Sequence, residues 1–550
     1  MKNILLKFFV FIAFSIVISI PIILPYLNKG YFPTHDGEWA VVRMGDMFRS
    51  VRDYQIPVRY SGNLNFGYGY PLFNFAYPGP YYVGTAFHLL NIGFVDSVKL
   101  LFVFSVIFSA LGMFFLSREL WRNNIAAAIS AIFYVYLPYR IVDLYARGSI
   151  GESLSFVCFP FILFFLSRLL NNISSKFYLS FSIVTYAILI ITHNIMAVLF
   201  TPVLIIFIAI KLLSQKEKPF LKTILFFILS YGLSAFFWLP ALLEKSNILL
   251  SKTPIADRSI YFVTIKDLIF PKWGYGLPNN PDGFSYQIGL SHIAVVLTAI
   301  GIVIFILWKK RELLKKLSTK FAFAFSVTTI ALILLMFSFT APLWKIMPLL
   351  KEINYPWTLL AVIGFIISLL SGFLWLQNKF IKYLIVILSL ITVVSVTPFA
   401  KPESYFDKGD GYYLTNEATT TSSQELMPLW VKDFPTSKSE QKIEIISGNG
   451  QVSNIVFSSN KGSFALDLNT KSLVRVNTIY YPGWEVKSDG LPTSISYNNS
   501  KGVIEFIVAS GKHNVELFFS ETPIRLLANI ITLLSLLILL ILFFFKKNKK

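Results

Sequence analysis

Residues 4–26, ILLKFFVFIAFSIVISIPIILPY, and the polar stretch THDGEW at residues 34–39 decide how this chain is organised. A hydrophobic segment of about 20 residues is long enough to cross a bilayer. We predict a retained membrane-spanning helix, because the segment exceeds the apolar core of a usual signal peptide and shows no evident A-x-A cleavage site. The carboxylates of Asp36 and Glu38 are then expected to emerge beside the membrane surface.

The composition indicates a polytopic membrane protein. The 550 residues are 55% hydrophobic and 14% charged, which leaves too little polar surface for a soluble globular chain. The net charge of +20 would indicate nucleic-acid binding in a soluble protein, but here many Lys and Arg residues cluster in short loops between apolar runs. We therefore predict the lipid bilayer as a partner and no nucleic acid. The single cysteine, Cys158, excludes an internal disulfide framework and a Cys-rich metal site.

Apolar runs recur along the chain and predict about twelve transmembrane helices. These runs lie near residues 4–27, 98–117, 124–139, 153–170, 177–193, 195–210, 222–243, 289–308, 321–339, 357–376, 380–398 and 525–545. The run at 81–94 is shorter and contains His88 and Asn91, so we interpret it as an interfacial or re-entrant helix.

The basic residues support this count, since Lys and Arg in short loops collect on the cytoplasmic side. With Lys2 and Lys7 inside, alternation through twelve helices places the basic loop at 309–320 and the tail at 546–550 inside as well. A full crossing at 81–94 would turn the most basic loops outward. We predict a multi-pass protein of the cell (plasma) membrane with both termini in the cytoplasm.

The same orientation divides the chain into three predicted units. They are a membrane domain at 1–398 with a large first outer loop at 28–97, an extracytoplasmic domain at 399–524, and a final transmembrane helix with a basic tail at 525–550. Alternating apolar residues such as Phe464 and Leu466, between glycine-containing turns, predict a β-sandwich-like outer domain. Its Trp484 and Tyr480 suit stacking on sugar rings, although aromatic residues of a β-sandwich core are the commoner case.

The first outer loop holds the first candidate site. A carboxylate near a membrane surface, such as Asp36, can act as a general base toward a hydroxyl, and with Glu38 it can hold a divalent cation. The alternative is a solvated loop with helix-capping acids. The aromatic and glycine-rich stretch around Tyr68 and Tyr70 favours a packed binding loop, and His35 and Arg59 are further candidates.

A second cluster follows the third predicted helix. Arg140, Asp143, Arg147 and Glu152 are costly at a membrane edge unless they are paired or functional. An arginine fork such as that of Arg147 suits a phosphate, and Glu152 is a candidate partner for Asp36 across space. The alternative is a structural salt bridge between Arg147 and Glu152.

Three further residues at outer helix ends are weaker candidates. His193 is more often a hydrogen-bonded structural residue than a ligand. Trp357 is typical of an interface anchor, and Lys351 is a candidate contact for a lipid phosphate.

Several short motifs resemble known membrane families. Thr34-His35-Asp36, Arg147-Gly148 with Glu152, and Thr192-His193-Asn194 resemble the pattern of a bacterial and archaeal membrane family labelled as related to 6-pyruvoyl-tetrahydropterin synthase. Gly67-Tyr68-Gly69-Tyr70-Pro71-Leu72 and Tyr355-Pro356-Trp357 add to this likeness. The label implies no pterin chemistry, because a soluble pterin synthase needs a zinc-binding histidine cluster and the five His residues here are scattered.

The wider arrangement resembles the GT-C superfamily of integral-membrane glycosyltransferases. A first helix, a long outer loop opening with an acidic motif, a helical bundle and an outer C-terminal domain carry this resemblance. Two positions depart from it: Ile150 and Gly151 stand where oligosaccharyltransferase subunits carry another acid, and Thr358 stands where relatives often carry Arg.

The resemblance implies an inverting glycosyltransferase that moves a sugar from a polyprenyl-phosphate donor to an extracytoplasmic glycan, lipid or protein acceptor. Asp36, Glu38 and Glu152 would be catalytic, with Asp36 as the base or as a metal-side acid. The leaving phosphate would be stabilised either by Arg147 or by a divalent cation, Mg or Mn, held by Asp36 and Glu152, so the resemblance implies no certain cofactor. The expected substrate-binding residues are His35, Arg59, Tyr68, Tyr70, Arg147, His193, Lys351 and Trp357. The alternatives are a lipid or glycan transporter or flippase, and a non-catalytic membrane scaffold with a binding domain.

Overall fold

The computed structural model describes residues 2–172, 174–215, 219–270, 285–415 and 424–544, with side chains from residue 9 onward. In its first half the helices are α1 (Lys2–Ile23), α2 (Gly37–Arg52), α3 (Leu72–Phe75), α4 (Gly79–Leu89), α5 (Phe94–Trp121), α6 (Asn124–Val135), α7 (Pro138–Val142), α8 (Ile150–Asn171), α9 (Lys176–Thr192), α10 (Asn194–Leu213), α11 (Phe220–Leu233) and α12 (Ala235–Leu243). A π-helical turn at Asp143–Arg147 continues α7.

The second half continues the bundle and ends in a β domain. Its helices are α13 (Ile265–Ile269), α14 (Leu290–Lys309), α15 (Leu317–Leu335), α16 (Ala341–Ile346), α17 (Pro348–Lys351), α18 (Leu359–Leu374), α19 (Lys379–Val396), α20 (Asp410–Leu414) and α21 (Pro523–Phe544). Its strands are β1 (Ile443–Ser447), β2 (Gly450–Phe457), β3 (Lys461–Leu468), β4 (Ser472–Ile479), β5 (Trp484–Ser488), β6 (Leu491–Thr493), β7 (Val503–Val508) and β8 (Gly511–Phe519).

The helical part is built to span a membrane. Within the described chain nine helices are long and apolar enough to cross, and the number rises to eleven if each bent helix pair is one span. The bends are 44° after α6 and 73° between α11 and α12. All twelve predicted runs are helical, so the polytopic helical fold is confirmed, although α9 with 17 residues is not counted among the nine to eleven spans. The run at 81–94 is not one full span, because α4 ends at Leu89 and α5 begins at Phe94, and its interfacial or re-entrant placement stays a prediction. The basic tail at 546–550 lies outside the described residues.

The outer domain contains two antiparallel sheets, ordered β1-β4-β7 and β2-β3-β8-β5-β6. In β3, Phe464, Leu466 and Leu468 are buried while their neighbours are more exposed, which confirms the predicted alternation. The strands occupy only residues 443–519 of the predicted domain. The segment before them docks on the first outer loop, where the Asp410 carboxylate accepts hydrogen bonds from the amides that begin α5.

A buried ion pair ties the outer domain to the bundle. Glu244, after α12, accepts hydrogen bonds from Nε and Nη2 of Arg525 in α21 at 3.0 and 2.9 Å. The same carboxylate also accepts from Asn74 at 2.8 Å and from Thr522 at 2.7 Å. The first outer loop, the exit of the β domain and the final helix therefore meet at one fully hydrogen-bonded acid.

Candidate active site

The two acidic motifs of the sequence lie against each other. The amide of His35 donates to the carbonyl of Ala146 at 3.0 Å, and the amide of Asp36 donates to the carbonyl of Arg147 at 2.7 Å. Gly148 permits this approach, because its φ is +65° and a Cβ atom there would lie 2.2 Å from the Thr34 hydroxyl oxygen. The first outer loop and the turn before α8 therefore form one site.

The Asp36 carboxylate is left available by the way α2 begins. Asp36 occupies the N-cap position of α2, yet its side chain accepts no capping hydrogen bond. The Thr34 hydroxyl accepts from the Gly37 amide at 2.9 Å instead. Within the described chain, no hydrogen bond or ion pair engages the half-buried Asp36 side chain. Its charge is therefore not committed to holding the fold.

Arg147 lies beside Asp36 and is held through one terminal nitrogen. Its Nη1 forms an ion pair with Glu152, donates to the Tyr139 hydroxyl at 3.1 Å, and lies 3.6 Å from Asp143. The guanidinium also packs on the Trp357 ring, 4.7 Å from its centroid. None of these polar contacts uses Nε or Nη2, so part of the donor fork remains for a ligand.

The other charges of the second cluster compensate one another below the site. Glu152 and Asp143 are fully buried, and Glu152 accepts from the Tyr139 hydroxyl at 2.5 Å while Asp143 accepts from Ser153 at 2.5 Å. Arg140, also buried, donates to the Ser153 carbonyl at 3.0 Å. The positive charges of Arg140 and Arg147 thus compensate the negative charges of Asp143 and Glu152. Buried charges near a membrane are costly unless they are compensated in this way. The structural ion pair of Arg147 with Glu152, the alternative raised by the sequence, is present.

Aromatic rings surround this pair of motifs. The Tyr77 ring stacks on the His193 ring with centroids 5.1 Å apart, and Tyr355 packs on Trp357 at 5.2 Å. His193 Nδ1 accepts from the Met196 amide, and burial, followed by the charge of Arg147, lowers the pKa of His193 to about 3. The imidazole is therefore uncharged at physiological pH, and its ring forms part of the wall.

The Tyr355 hydroxyl also lies near the charged groups of the site. Burial and the neighbouring Tyr261 raise the pKa of Tyr355 to about 12, and the charges of Arg147 and Asp36 act on it in opposite directions. The Tyr355 hydroxyl is therefore within electrostatic reach of both the arginine and the carboxylate.

Glu38, predicted as a second catalytic acid, shares the neighbouring Tyr31 phenol with Asp36 but also faces Lys408 and Tyr413. Burial raises the pKa of its carboxyl, and Lys408 opposes that shift. Glu38 in turn acts on the phenols of Tyr31 and Tyr413, which lie toward α20. It is thus directed toward the segment that precedes the β domain.

The structure places several predicted binding residues away from Asp36. Arg59 is buried and donates to Glu521 at 3.2 Å and Asn529 at 2.9 Å, at the base of the outer domain. The Tyr68 carbonyl accepts from the Ile479 amide in β4. These contacts join the first outer loop to the outer domain and the final helix, and substrate binding by Arg59 and Tyr68 stays a prediction. Tyr70 is buried beside Arg43 and Asp46, and Lys351 is exposed at the end of α17.

The donor set does not fit a divalent cation between Asp36 and Glu152. Both Glu152 oxygens are already bonded, to Tyr139 and to Arg147, and the arginine charge lies beside any ion that would bridge the two acids. Among the described residues there is also no group of three or more His, Cys, Asp or Glu side chains arranged to hold a metal.

Sequence reasoning missed two members of this site. Tyr139 hydrogen-bonds with Glu152 from inside a predicted helix, and Tyr77 forms part of the wall through its ring. The one available signal was chemical, because a phenol buried in an apolar run needs a polar partner. Nothing in the spacing indicated which partner that would be.

The fold and site define a multi-span membrane protein with a carboxylate and an arginine fork held together between its first outer loop and α8. Residues 73–401 match the family described as the 6-pyruvoyl-tetrahydropterin synthase related domain, a membrane protein. The match covers more than half of the chain, so the chain belongs to this family, as its motifs predicted. No curated protein matches it.

Two solved structures align with part of this chain. Arabinofuranosyltransferase AftD from Mycobacteria aligns at 15% identity with a TM-score of 0.49, over 73% of this chain and 27% of that protein. The Archaeoglobus fulgidus oligosaccharyltransferase in its apo form aligns at 12% identity with a TM-score of 0.48, over 76% of this chain and 61% of that protein. The chain therefore spans only part of the length of either protein.

Proposed function

We propose that the protein is a membrane glycosyltransferase that moves a sugar from a polyprenyl-phosphate donor to an extracytoplasmic acceptor. The observation that carries the proposal is the uncommitted Asp36 carboxylate, fixed by its backbone beside the Arg147 fork. The likeness of the chain's wider arrangement to that of GT-C enzymes supports the same reaction.

Asp36 is the general base of this reaction. Its carboxylate takes the proton of an acceptor hydroxyl, and the acceptor oxygen attacks the anomeric carbon of the donor. The bond from that carbon to the phosphate oxygen breaks, and the polyprenyl phosphate leaves with the electron pair. Attack opposite the leaving group inverts the anomeric centre. Ion pairing would weaken such a base, and Asp36 has no ion-pair partner in the described chain.

Arg147 orients the donor phosphate. The contacts to Glu152, Tyr139 and Asp143 fix Nη1, and the Trp357 ring fixes the plane of the guanidinium. A fork immobilised in this way donates to a phosphate with little loss of side-chain freedom. The same donors stabilise the charge that grows on the phosphate as the sugar departs.

The aromatic wall suits a sugar substrate. Tyr77, His193 and Tyr355 offer apolar ring faces and polar edges around the carboxylate. We place this site at the outer face of the cell membrane with both termini in the cytoplasm, because that orientation keeps the basic loops inside. A donor lipid would then reach Asp36 and Arg147 from within the bilayer.

The proposal is tested with the purified full chain in liposomes. Polyprenyl-phosphate-linked sugars of several kinds, radiolabelled in the sugar, are added with a membrane extract as the source of acceptor. The expected result is that the labelled sugar leaves the lipid for at least one of these donors. A labelled nucleotide sugar given in place of the lipid donor is expected not to transfer its sugar. Asp36→Asn is expected to abolish the release from the lipid, and Glu38→Gln, two residues away, to retain it.

Two results would overturn the proposal. Movement of an intact labelled donor across the liposome, with no cleavage, would indicate a flippase. Binding of glycan without any change to the donor, equal in the Asp36→Asn variant, would indicate a scaffold.

A further inference from the structure

A cavity separate from the candidate active site lies between the first outer loop and the outer domain. Its volume is about 330 Å³, and residues from α2, the glycine-rich loop and strands β2, β4 and β5 form its walls. Arg49 lines it from the C-terminal end of α2, whereas Asp36 precedes the first residue of that helix. At about 1.5 Å per residue, the two sites are about 20 Å apart along α2.

The charged side chains that line the cavity are all positive. Arg49, Lys438 and Lys442 line it, and no Asp or Glu residue does so in the part of the chain that the structure describes. Asp53 lies behind the wall, where its carboxylate accepts from the Ser459 amide at 2.7 Å. Asp46 also lies behind it, bonded to Asn63, and burial raises its pKa to about 6. These two carboxylates are held by the wall and do not line the cavity.

Lys442 is the most informative of the three cations. Its Nζ donates to the carbonyls of Gly67 at 2.7 Å and Asn477 at 2.8 Å. Burial lowers the pKa of Lys442 to about 8, and no carboxylate opposes that shift. A largely buried ammonium without an anionic partner is costly, and an anion bound in the cavity would remove that cost.

The neutral part of the lining has the character of a sugar site. Tyr60, Phe66, Phe457 and Trp484 contribute aromatic rings. The hydroxyl oxygen of Ser459, a residue only 1% exposed, has no hydrogen-bond partner among the described residues. Such an orphaned donor and acceptor in a cavity wall is satisfied when a ligand hydroxyl occupies the space.

The loop that carries Phe66 is held in an unusual conformation. Asn65 and Phe66 have φ values of +54° and +57°, and Gly67 follows at +84°. Non-glycine residues in this region persist only where the surroundings enforce them, and they concentrate at ligand sites. The Lys442 bond to the Gly67 carbonyl is one such restraint, so the cation and the aromatic ring are positioned together.

From this combination we infer that the cavity is a binding site for an acidic saccharide, a sugar chain that bears carboxylate or phosphate groups. The cations take the acid group, the rings take the sugar faces, and Ser459 with its polar neighbours takes hydroxyls. Binding here does not require the proposed transfer reaction.

Binding of trigalacturonate to the full chain in detergent tests the inference, with saturation-transfer NMR as the readout. Neutral maltotriose, acidic triglutamate and inorganic phosphate are the comparison probes. Trigalacturonate is expected to bind at least about tenfold more tightly than each of the other three. The exposed Lys438 makes no polar contact in the described chain, so Lys438→Glu is expected to weaken binding about tenfold without affecting the fold. Lys471→Glu, on an exposed turn of the same domain, is the charge-matched control.

Each contrary result overturns the inference. If triglutamate binds as tightly as trigalacturonate, the cavity is a site for acidic peptides. If inorganic phosphate binds as tightly, the cavity is a site for a simple anion. If the Lys438→Glu and Lys471→Glu variants bind trigalacturonate with equal affinity, the saccharide binds outside this cavity. Asp36→Asn is expected to bind trigalacturonate like the unmodified protein, so failure of this site and failure of the transfer reaction are separable.

Discussion

The main-chain amide of Asp36 donates to the main-chain carbonyl of Arg147 over 2.7 Å, and this bond joins the first outer loop to the turn before α8. The position of Asp36 thus depends on its backbone, while its side chain makes no capping hydrogen bond and no ion pair within the residues that the structure describes. Substitution of the Asp36 side chain is therefore separable from disruption of the site.

Disruption of the site itself is predicted for Gly148→Ala. A Cβ atom at Gly148 meets the Thr34 hydroxyl oxygen at 2.2 Å, and its φ of +65° adds about 1–2 kcal/mol of strain for a non-glycine residue. We expect a lower melting temperature together with loss of sugar transfer. Gly411→Ala is the control, since nothing lies within 4 Å of a Cβ atom there and it is expected to change neither quantity. An unchanged Gly148→Ala protein would show that the two motifs are not in close contact.

The buried charge cluster predicts a stability effect for Glu152→Gln. Glu152 is fully buried and ion-paired with Arg147, so loss of its charge leaves two arginines against one carboxylate. Breaking a buried pair costs about 3 kcal/mol or more. The measurement is thermal unfolding in detergent. Glu312→Gln removes an ion pair with Lys315 whose side chains are 86% and 81% exposed, and it is expected to have no measurable effect. Equal melting temperatures for the two variants would contradict the account.

The pH dependence of stability is predicted to change in Asp46→Asn. Burial raises the pKa of Asp46 to about 6 in the folded protein, above an unfolded value of about 4. The ionised carboxylate therefore destabilises the fold above about pH 6, by about 3 kcal/mol, and this cost disappears as the pH falls to about 4. Asp46→Asn should be the more stable protein at pH 7.5, and its advantage should vanish near pH 4. Thermal unfolding from pH 4 to 8 checks this, with exposed Asp467→Asn as the control.

The orientation is predicted to be visible by cysteine labelling. The one native cysteine, Cys158, is buried, so single introduced cysteines provide the signal. A membrane-impermeant maleimide added to intact cells is expected to label Lys471→Cys in the outer domain. Lys315→Cys, whose side chain is 81% exposed in a basic loop, should react only after lysis. The reverse pattern would invert the topology.

The helical fold and the pairing of the two acidic motifs followed from the sequence, for different reasons. Apolar runs of membrane length leave few alternatives, because an unpaired backbone is not tolerated in lipid. Asp36, Arg147 and Glu152 were singled out because charge at a membrane edge is costly. The sequence does not show which partner compensates each charge. Here Arg147 pairs with Glu152, and Asp36 has no ion-pair partner in the described part of the chain.

Other parts of the site were beyond sequence reasoning. Arg59 lies near Asp36 in the chain but bonds with Glu521 and Asn529, more than 450 positions away. Long-range contacts of this kind depend on how the outer domain docks, and no local pattern encodes that. The cavity lined by Arg49, Lys442 and Trp484 arises in the same way, from three distant segments of the chain.

The central claim is that Asp36 performs the proton transfer while Arg147 holds the donor. The most direct test measures donor binding by native mass spectrometry and the single-turnover rate for the same three proteins, unmodified, Asp36→Asn and Glu38→Gln. We predict that all three bind a polyprenyl-phosphate-linked sugar equally, and that only Asp36→Asn loses the rate, by about 10²–10⁴-fold. Turnover by Asp36→Asn at the unmodified rate would contradict the account.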